Sequence, residues 1–393
     1  MAVPLKRVYL DHNATTALRP EVRARFLEQL DRLGGNPSSV HSSGRAARAV
    51  LDEAREQTAA ALAVHEDEIV FTGGGTEAIQ IALLGAVRAA GPNACLVTTA
   101  VEHSAVLGAA AELAREGHPV HRMPVDGVGR VDIERLITEI GTSRAAVVSI
   151  QTANNEIGTV MPIAEIGRRL QDVGNLAPVF HTDAVQALGR LPLALERSNV
   201  DLAGFSAHKI GGPLGVGILY RRQGVTLLAP LQGGGQEGGL RPGTENVPAI
   251  SAAALAVELA TRDQAVAADR WRALSRSFWD QVQAVVPGVL LNGPPLDDSA
   301  RLPNTLNLGF ESVGGRELDG RMLVARADLE GLEVSAGSAC ASGSLEPSHV
   351  LLALGHTPER ARAALRISFG AQTTHEDIHT AVEMLRRTFL SLR

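Results

Sequence analysis

Lys209 stands directly after the apolar run VDLAGFSAH and just before the glycine-rich turn GGPLG. A lysine at such a place is usually a solvated charge. Its amine can instead form a Schiff base with an aldehyde when desolvation or a nearby cation lowers its pKa. Ser206 and His208 flank it and are placed to help hold an anion. A second anion seat is TGGGTEA at 72–78, between a strand-like run and a helical one. Backbone N–H groups at Gly75, the Thr76 hydroxyl and the positive end of the helix all favour negative charge there. The same residues also suit a tight turn with Thr76 as the helix N-cap. The spacing is neither GxGxxG nor GxxxxGK(S/T), which weakens dinucleotide and P-loop readings.

Asp183 closes the run VFHTD, and a carboxylate on a core strand end is costly unless it is paired. Opposite a heterocyclic nitrogen it would keep that nitrogen protonated, as an electron-sink cofactor requires. His103, after TTAVE, can cover a ring face or shuttle protons. A phosphate seat, a carboxylate for a ring nitrogen and an imine-forming lysine add up to pyridoxal 5′-phosphate. Cys340 lies in SAGSACASGS, among small residues that give it nothing to pack against, so it reads as a reactive thiol. Cys95, within ACLVTT, reads as core. Arg366 in LRISFG would clamp a carboxylate if it faces the crevice. Asn155 in NNEIGT can hydrogen-bond cofactor or substrate, and RPGTEN at 241–246 offers a second phosphate-compatible element with Thr244.

These residues need a scaffold that brings strand ends together. Five or more short β-rich runs alternate with helical stretches through the first two thirds of the chain, the pattern of an α/β unit with a mostly parallel sheet. Polar residues cluster just after the apolar runs, where such sheets line their ligand crevice. A large domain is expected over 16–259. A smaller α+β domain is expected over 260–393, with 1–15 packed against it and the Cys340 segment within it. Helices are expected near 20–32, 45–63, 248–287, 316–330 and 375–390, and a strand over 364–370.

At 393 residues, 45% of them hydrophobic, the chain is long enough for two or three domain-sized units. With 40 glycines and 3% aromatics, its core must rely on Ala, Val, Leu and Ile. A net charge of -6 and a pI near 6.1 argue against a nucleic-acid binder with a broad basic face. No uncharged apolar run is long enough for a membrane span, and the amino-terminal stretch lacks a signal-peptide core. Two cysteines make no disulfide framework, so a reducing, cytoplasmic setting is expected. No Cys/His cluster has zinc spacing, and no built-in metal is expected.

The sequence resembles cysteine desulfurases of the NifS/IscS type, in the class V aminotransferase group of fold-type I pyridoxal-phosphate enzymes. The resemblance runs nearly end to end: YLDHNATT (9–16), NPSSVH (36–41), TGGGTEA, NNEIGT (154–159), HTDAVQ (181–186), SAHKIGGPLGVGILY (206–220), GGGQEGGLRPGTEN (233–246), NTLN (304–307) and GSACASGSLEPSHV (337–350). It implies a large mixed, mostly parallel sheet sandwiched by helices, with a smaller α+β domain. It also implies Lys209 as Schiff-base lysine, Asp183 as pyridinium partner, Gln186 near the ring O3′ and His103 on the ring face. Gly75, Thr76, Ser206 and His208 would hold the phosphate, with Thr244 lent by the other subunit of a homodimer. Asn155, which also counts among the cofactor contacts, and Arg366 would fix the substrate carboxylate. Cys340 would take sulfur from L-cysteine as a persulfide, with L-alanine as the other product. It would pass that sulfur to an acceptor or iron–sulfur scaffold protein, serving transiently as an iron–sulfur ligand during transfer. Ala341 and Pro242 depart from the common Thr and Ser, and neither removes a group the chemistry needs. No basic residue adjoins Cys340, so thiolate formation must draw on the cofactor, His103 or bound substrate. A selenocysteine lyase, another C–S lyase or a non-catalytic sulfur-relay protein of the same fold are the alternatives.

Overall fold

The computed structural model describes residues 6–174, 177–310, 318–337 and 346–390. Its strands are β1 (Val8–Tyr9), β2 (Ile69–Thr72), β3 (Cys95–Thr99), β4 (Val120–Met123), β5 (Ala145–Ser149) and β6 (Val179–Asp183). They continue as β7 (Leu202–Ser206), β8 (Gly217–Arg221), β9 (Val289–Asn292), β10 (Thr305–Phe310), β11 (Leu332–Glu333) and β12 (Ala364–Ser368). Seven of them form one sheet in the order β2-β8-β7-β6-β5-β3-β4.

Alternation along these strands explains why helices cover both faces. Phe71, Val97, Val148, Ala203, Phe205 and Ile218 enter one hydrophobic core. Their neighbours Val70, Leu96, Val147, Leu202 and Leu219 enter another, shared with the helices Gly75–Ala89 and Ser104–Arg115. Successive side chains on a strand point to opposite faces, so strands apolar at nearly every position can only be satisfied in a sandwich. All strands run parallel except β8, which is antiparallel to both β2 and β7. The link from Ser206 to Gly217 is too short for a crossover helix, so the chain must turn back as a hairpin. Lys209 lies in that link, in a single 3-10 turn Ala207–Lys209.

The parallel strands therefore all end on one edge, at Thr72, Thr99, Met123, Ser149, Asp183 and Ser206. Strand order reverses between β3 and β5, a switch point whose crevice opens beyond the strand ends.

A separate three-stranded antiparallel sheet, β12-β10-β9, backs a second core with the helices Gly320–Leu329 and His375–Leu390. β1 pairs in parallel with β11 beside that core, which carries the start of the chain to this unit. The helix Val247–Val285 runs without a break through residue 259. Its first half puts Ile250, Ala253 and Val257 into the core of the large sheet, and its second half puts Leu274, Phe278 and Val282 into the other. Asn246 caps its start by accepting the Ala249 N–H at 3.3 Å. The helix expected over 316–330 begins at Gly320, and the one expected over 45–63 spans Ser42–Leu62.

Candidate active site

A cavity of 810 Å³ opens at the carboxyl edge of the seven-stranded sheet. Gly75 and Thr76 reach it from the end of β2, His103 from β3, Asn155 from β5, Asp183 and Gln186 from β6, and Ser206, His208 and Lys209 from β7. Arg366 comes from β12 of the other unit.

The glycine loop is shaped by close approach. A Cβ on Gly75 would lie 3.0 Å from Val185 Cγ2 and 3.1 Å from the Ser206 Cβ, so any larger residue would push the helix start off the sheet edge. The N-cap is Gly74 and the helix begins at Gly75, so Thr76 is not the cap but part of the first turn. Gly74 makes no side-chain cap, and its carbonyl accepts the Ala78 N–H at 3.1 Å to open the helix. The first-turn N–H groups have no intrahelical acceptor and remain an anion seat. Glu77, which sequence reasoning passed over, accepts from the Gly73 N–H and pairs with Arg241 Nε at 3.3 Å. Arg241 and Pro242 line the cavity, whereas Thr244 is exposed and does not.

Lys209 Nζ donates to two backbone carbonyls, Asn13 at 2.7 Å and Ala14 at 2.6 Å. Gln186 Nε2 donates to the same Asn13 carbonyl at 3.2 Å, while Gln186 Oε1 is buried and without a partner among the described residues. Asp183 is buried, and Oδ1 accepts from the Val185 N–H at 3.0 Å. Burial pushes the Asp183 carboxyl up from its ordinary value, opposed by His103, the Val185 N–H and Lys209. His103 caps the helix Ser104–Arg115, its Nδ1 accepting the Ala105 N–H at 3.1 Å. That bond leaves the ring proton on Nε2. Burial, with help from Lys209, lowers His208 to about 4, so its ring is neutral near pH 7. Its Nδ1 lies 3.1 Å from the Thr15 hydroxyl.

The far side of the cavity depends on the amino-terminal segment. Arg366 is 1% exposed, and its Nη2 donates to Asp11 Oδ1 at 2.6 Å. Nη1 reaches the Asn155 carbonyl at 3.5 Å, and Nε is buried without a partner among the described residues. A buried guanidinium with a spare donor suits an anionic ligand. Asn13 locks the junction: its Nδ2 donates to the Asn155 carbonyl at 3.1 Å and to Thr305 Oγ1 at 2.9 Å. Asn304 Nδ2 donates to Asn13 Oδ1 at 3.2 Å. Asp11 and Asn13 were missed as site residues by local reasoning, and their only signal was the motif YLDHNATT.

The donor set fits pyridoxal phosphate: an amine, a buried carboxylate, a helix-end anion seat, a neutral imidazole and the orphaned Gln186 Oε1 share one cavity. Among the described residues no group of His, Cys, Asp and Glu could hold a metal ion, and no helix is long and apolar enough to cross a membrane. Cys95 is buried in β3, and burial raises its thiol pKa, as suits an inert core cysteine. Cys340 lies outside the described residues.

The sequence matches the class-V aminotransferase family over residues 8–380. It is 41% identical over 389 residues to a protein named cysteine desulfurase IscS from Dictyoglomus turgidum, covering 99% of this chain and 96% of that one. A solved structure described as a NifS-like protein superposes with a TM-score of 0.89 at 35% identity, covering 98% of this chain and all of the other. Another, described as SspA in complex with cysteine, superposes with a TM-score of 0.78 at 29% identity, covering 92% and 98%.

Proposed function

The chain belongs to the class-V aminotransferase family of fold-type I pyridoxal-phosphate enzymes and is homologous along its length to NifS/IscS cysteine desulfurases; from that premise we propose that it moves sulfur from L-cysteine to Cys340, leaving L-alanine. The observation that carries this reading is the meeting of Lys209, Asp183 and the Gly75–Thr76 helix end in one cavity with Arg366. The relative bound to cysteine favours the same substrate.

Lys209 would hold pyridoxal phosphate, with Asp183 at its ring nitrogen, Gln186 at O3′, His103 on the ring face and Gly75, Thr76, Ser206 and His208 at the phosphate. When bound, that group supplies an electron sink for the substrate α-carbon. Arg366, already neutralised in part by Asp11, has its spare Nε to offer the substrate carboxylate, with Asn155 beside it. Lys209 removes the α-proton. Cys340 thiolate attacks the substrate Sγ. An S–S bond forms, the Cβ–S bond breaks, and the electron pair stays on Cβ, which takes a proton. Cysteine and a thiol thereby become alanine and a persulfide.

Chain connectivity supports Cys340 in that role. Gly337 is buried beside the cavity side built from β12 and Asn155, and three residues of extended chain span at most about 11 Å. Thr244 is exposed on its own chain, so its phosphate contact needs a second copy, and a homodimer belongs to the proposal. An acceptor protein for the persulfide belongs to it as well. The test is incubation with L-cysteine, intact-mass detection of a sulfur adduct mapped to one cysteine, and quantification of alanine. Alanine without an adduct on Cys340, or turnover of L-selenocysteine alone, would sink the reading.

A further inference from the structure

Two motif residues, Glu156 in NNEIGT and Ser348 in SLEPSHV, have no part in the chemistry above, yet they meet in the structure. Glu156 is 1% exposed, and its Oε2 accepts the Ser348 hydroxyl at 2.5 Å. Its backbone is held as firmly. The Glu156 N–H donates to Asn154 Oδ1 at 2.8 Å, the Glu156 carbonyl accepts from Asn307 Nδ2 at 3.3 Å, and Asn154 Nδ2 donates to the Val101 carbonyl at 3.0 Å. A buried carboxylate so fixed cannot relax toward solvent, so its hydroxyl partner matters.

The same oxygen faces the other end of the Cys340 segment. A Cβ built on Gly337 would lie 3.4 Å from Glu156 Oε2 and 3.6 Å from the Ser348 Cβ. Gly337 has φ 67°, a left-handed backbone that a side chain would strain. Just before it, Ser335 exchanges backbone hydrogen bonds with Arg366: the Arg366 N–H donates at 2.7 Å and the Ser335 N–H at 3.3 Å. Just after Ser348, His349 Nε2 donates to the Glu102 carbonyl at 3.0 Å, next to His103. Residues 337 and 348 therefore converge on one carboxylate that adjoins Asn155, and their neighbours are tied to Arg366 and to the His103 turn.

We propose that Glu156 is a positioning residue for sulfur transfer: by binding Ser348 against Gly337 it holds together the two ends of the segment that carries Cys340, beside the Asn155–Arg366 side of the cavity. The proposal rests on Cys340 being the sulfur-accepting thiol. Misplacing a reacting group by about 1 Å can cost on the order of 10²-fold in rate.

The test uses the holoenzyme in single turnover with L-cysteine, following the Cys340 sulfur adduct, with L-alanine as a thiol-free probe of the binding site. Glu156→Ala is expected to keep its cofactor content and L-alanine affinity while forming the adduct at least about tenfold more slowly. Glu156→Gln keeps an acceptor for Ser348 and is expected to restore most of the rate. Ser348→Asp keeps a cap for the helix His349–Ala353 but sets like charge against Glu156, so it is expected to be slow too. Adduct formation at the wild-type rate in Glu156→Ala would overturn the proposal. So would a loss that merely tracks melting temperature and L-alanine affinity across the three variants. If the wild-type protein itself forms alanine with no adduct on Cys340, the desulfurase reading fails first and the proposal falls with it.

Discussion

The side of the cavity that holds Lys209 and Asp183 grows from neighbouring strand ends of a single sheet, whereas the side that holds Arg366 is assembled from segments as far as 355 positions apart. On the sheet side, each residue's place follows from the strand that precedes it, and burial of both sheet faces secures the edge. On the Arg366 side, polar side chains do the joining: Asp11 to Arg366, Asn13 to Asn155 and Thr305, Asn304 to Asn13. The first side is secured by apolar burial and can lose a polar group without coming apart. The second is a buried polar network, in which each lost partner strands another. Lys209 spans the two, rooted in the sheet hairpin and hydrogen-bonded to the amino-terminal carbonyls.

Variants on the two sides should therefore fail differently. Lys209→Ala is expected to lower alanine production by at least about 10³-fold, since it removes the proposed proton-transfer group, and to abolish the lysine-linked cofactor absorbance. Its melting temperature should change little, and normal turnover would break the assignment of the sheet side. Cys340→Ala is expected to stop persulfide formation as completely while keeping that absorbance, and undiminished sulfide release would refute the thiol's role.

Arg366→Ala should weaken kcat/KM for L-cysteine by about 10²-fold and also destabilise the fold by about 3 kcal/mol, because Asp11 loses its buried partner. Activity loss with an unchanged denaturation midpoint would show that the network is not what joins the two units.

A further effect concerns pH. Burial raises the Glu102 carboxyl from 4.5 to about 8, against hydrogen bonds from Thr99 and the Gln151 N–H. The native state thus holds this proton more tightly than the unfolded chain. Its stabilising contribution is complete below pH 4.5 and is lost as pH rises through about 8. Glu102→Gln should flatten that decline in denaturation curves taken across this range. An equally steep decline in the variant would place the titrating group elsewhere.

Local sequence pattern was enough to find the parallel strands and the helices at 20–32 and 375–390, and to place Gly75, Asp183, Ser206 and Lys209 at the strand ends that line the cavity, because each lies at or just past an apolar run whose periodicity is a short-range property. It was misleading at Thr76, because the helix already begins at Gly75 and the cap falls on Gly74. Arg366 could be suspected from its residue type, but nothing nearby in the chain names Asp11 as its partner. That pairing, the Asn13 junction and the convergence of Gly337 and Ser348 on Glu156 exist only once two hydrophobic cores are set against each other by one continuous helix. A strand declares itself through its own alternation, while a contact between distant segments depends on how whole units pack, and only the tertiary structure holds that information.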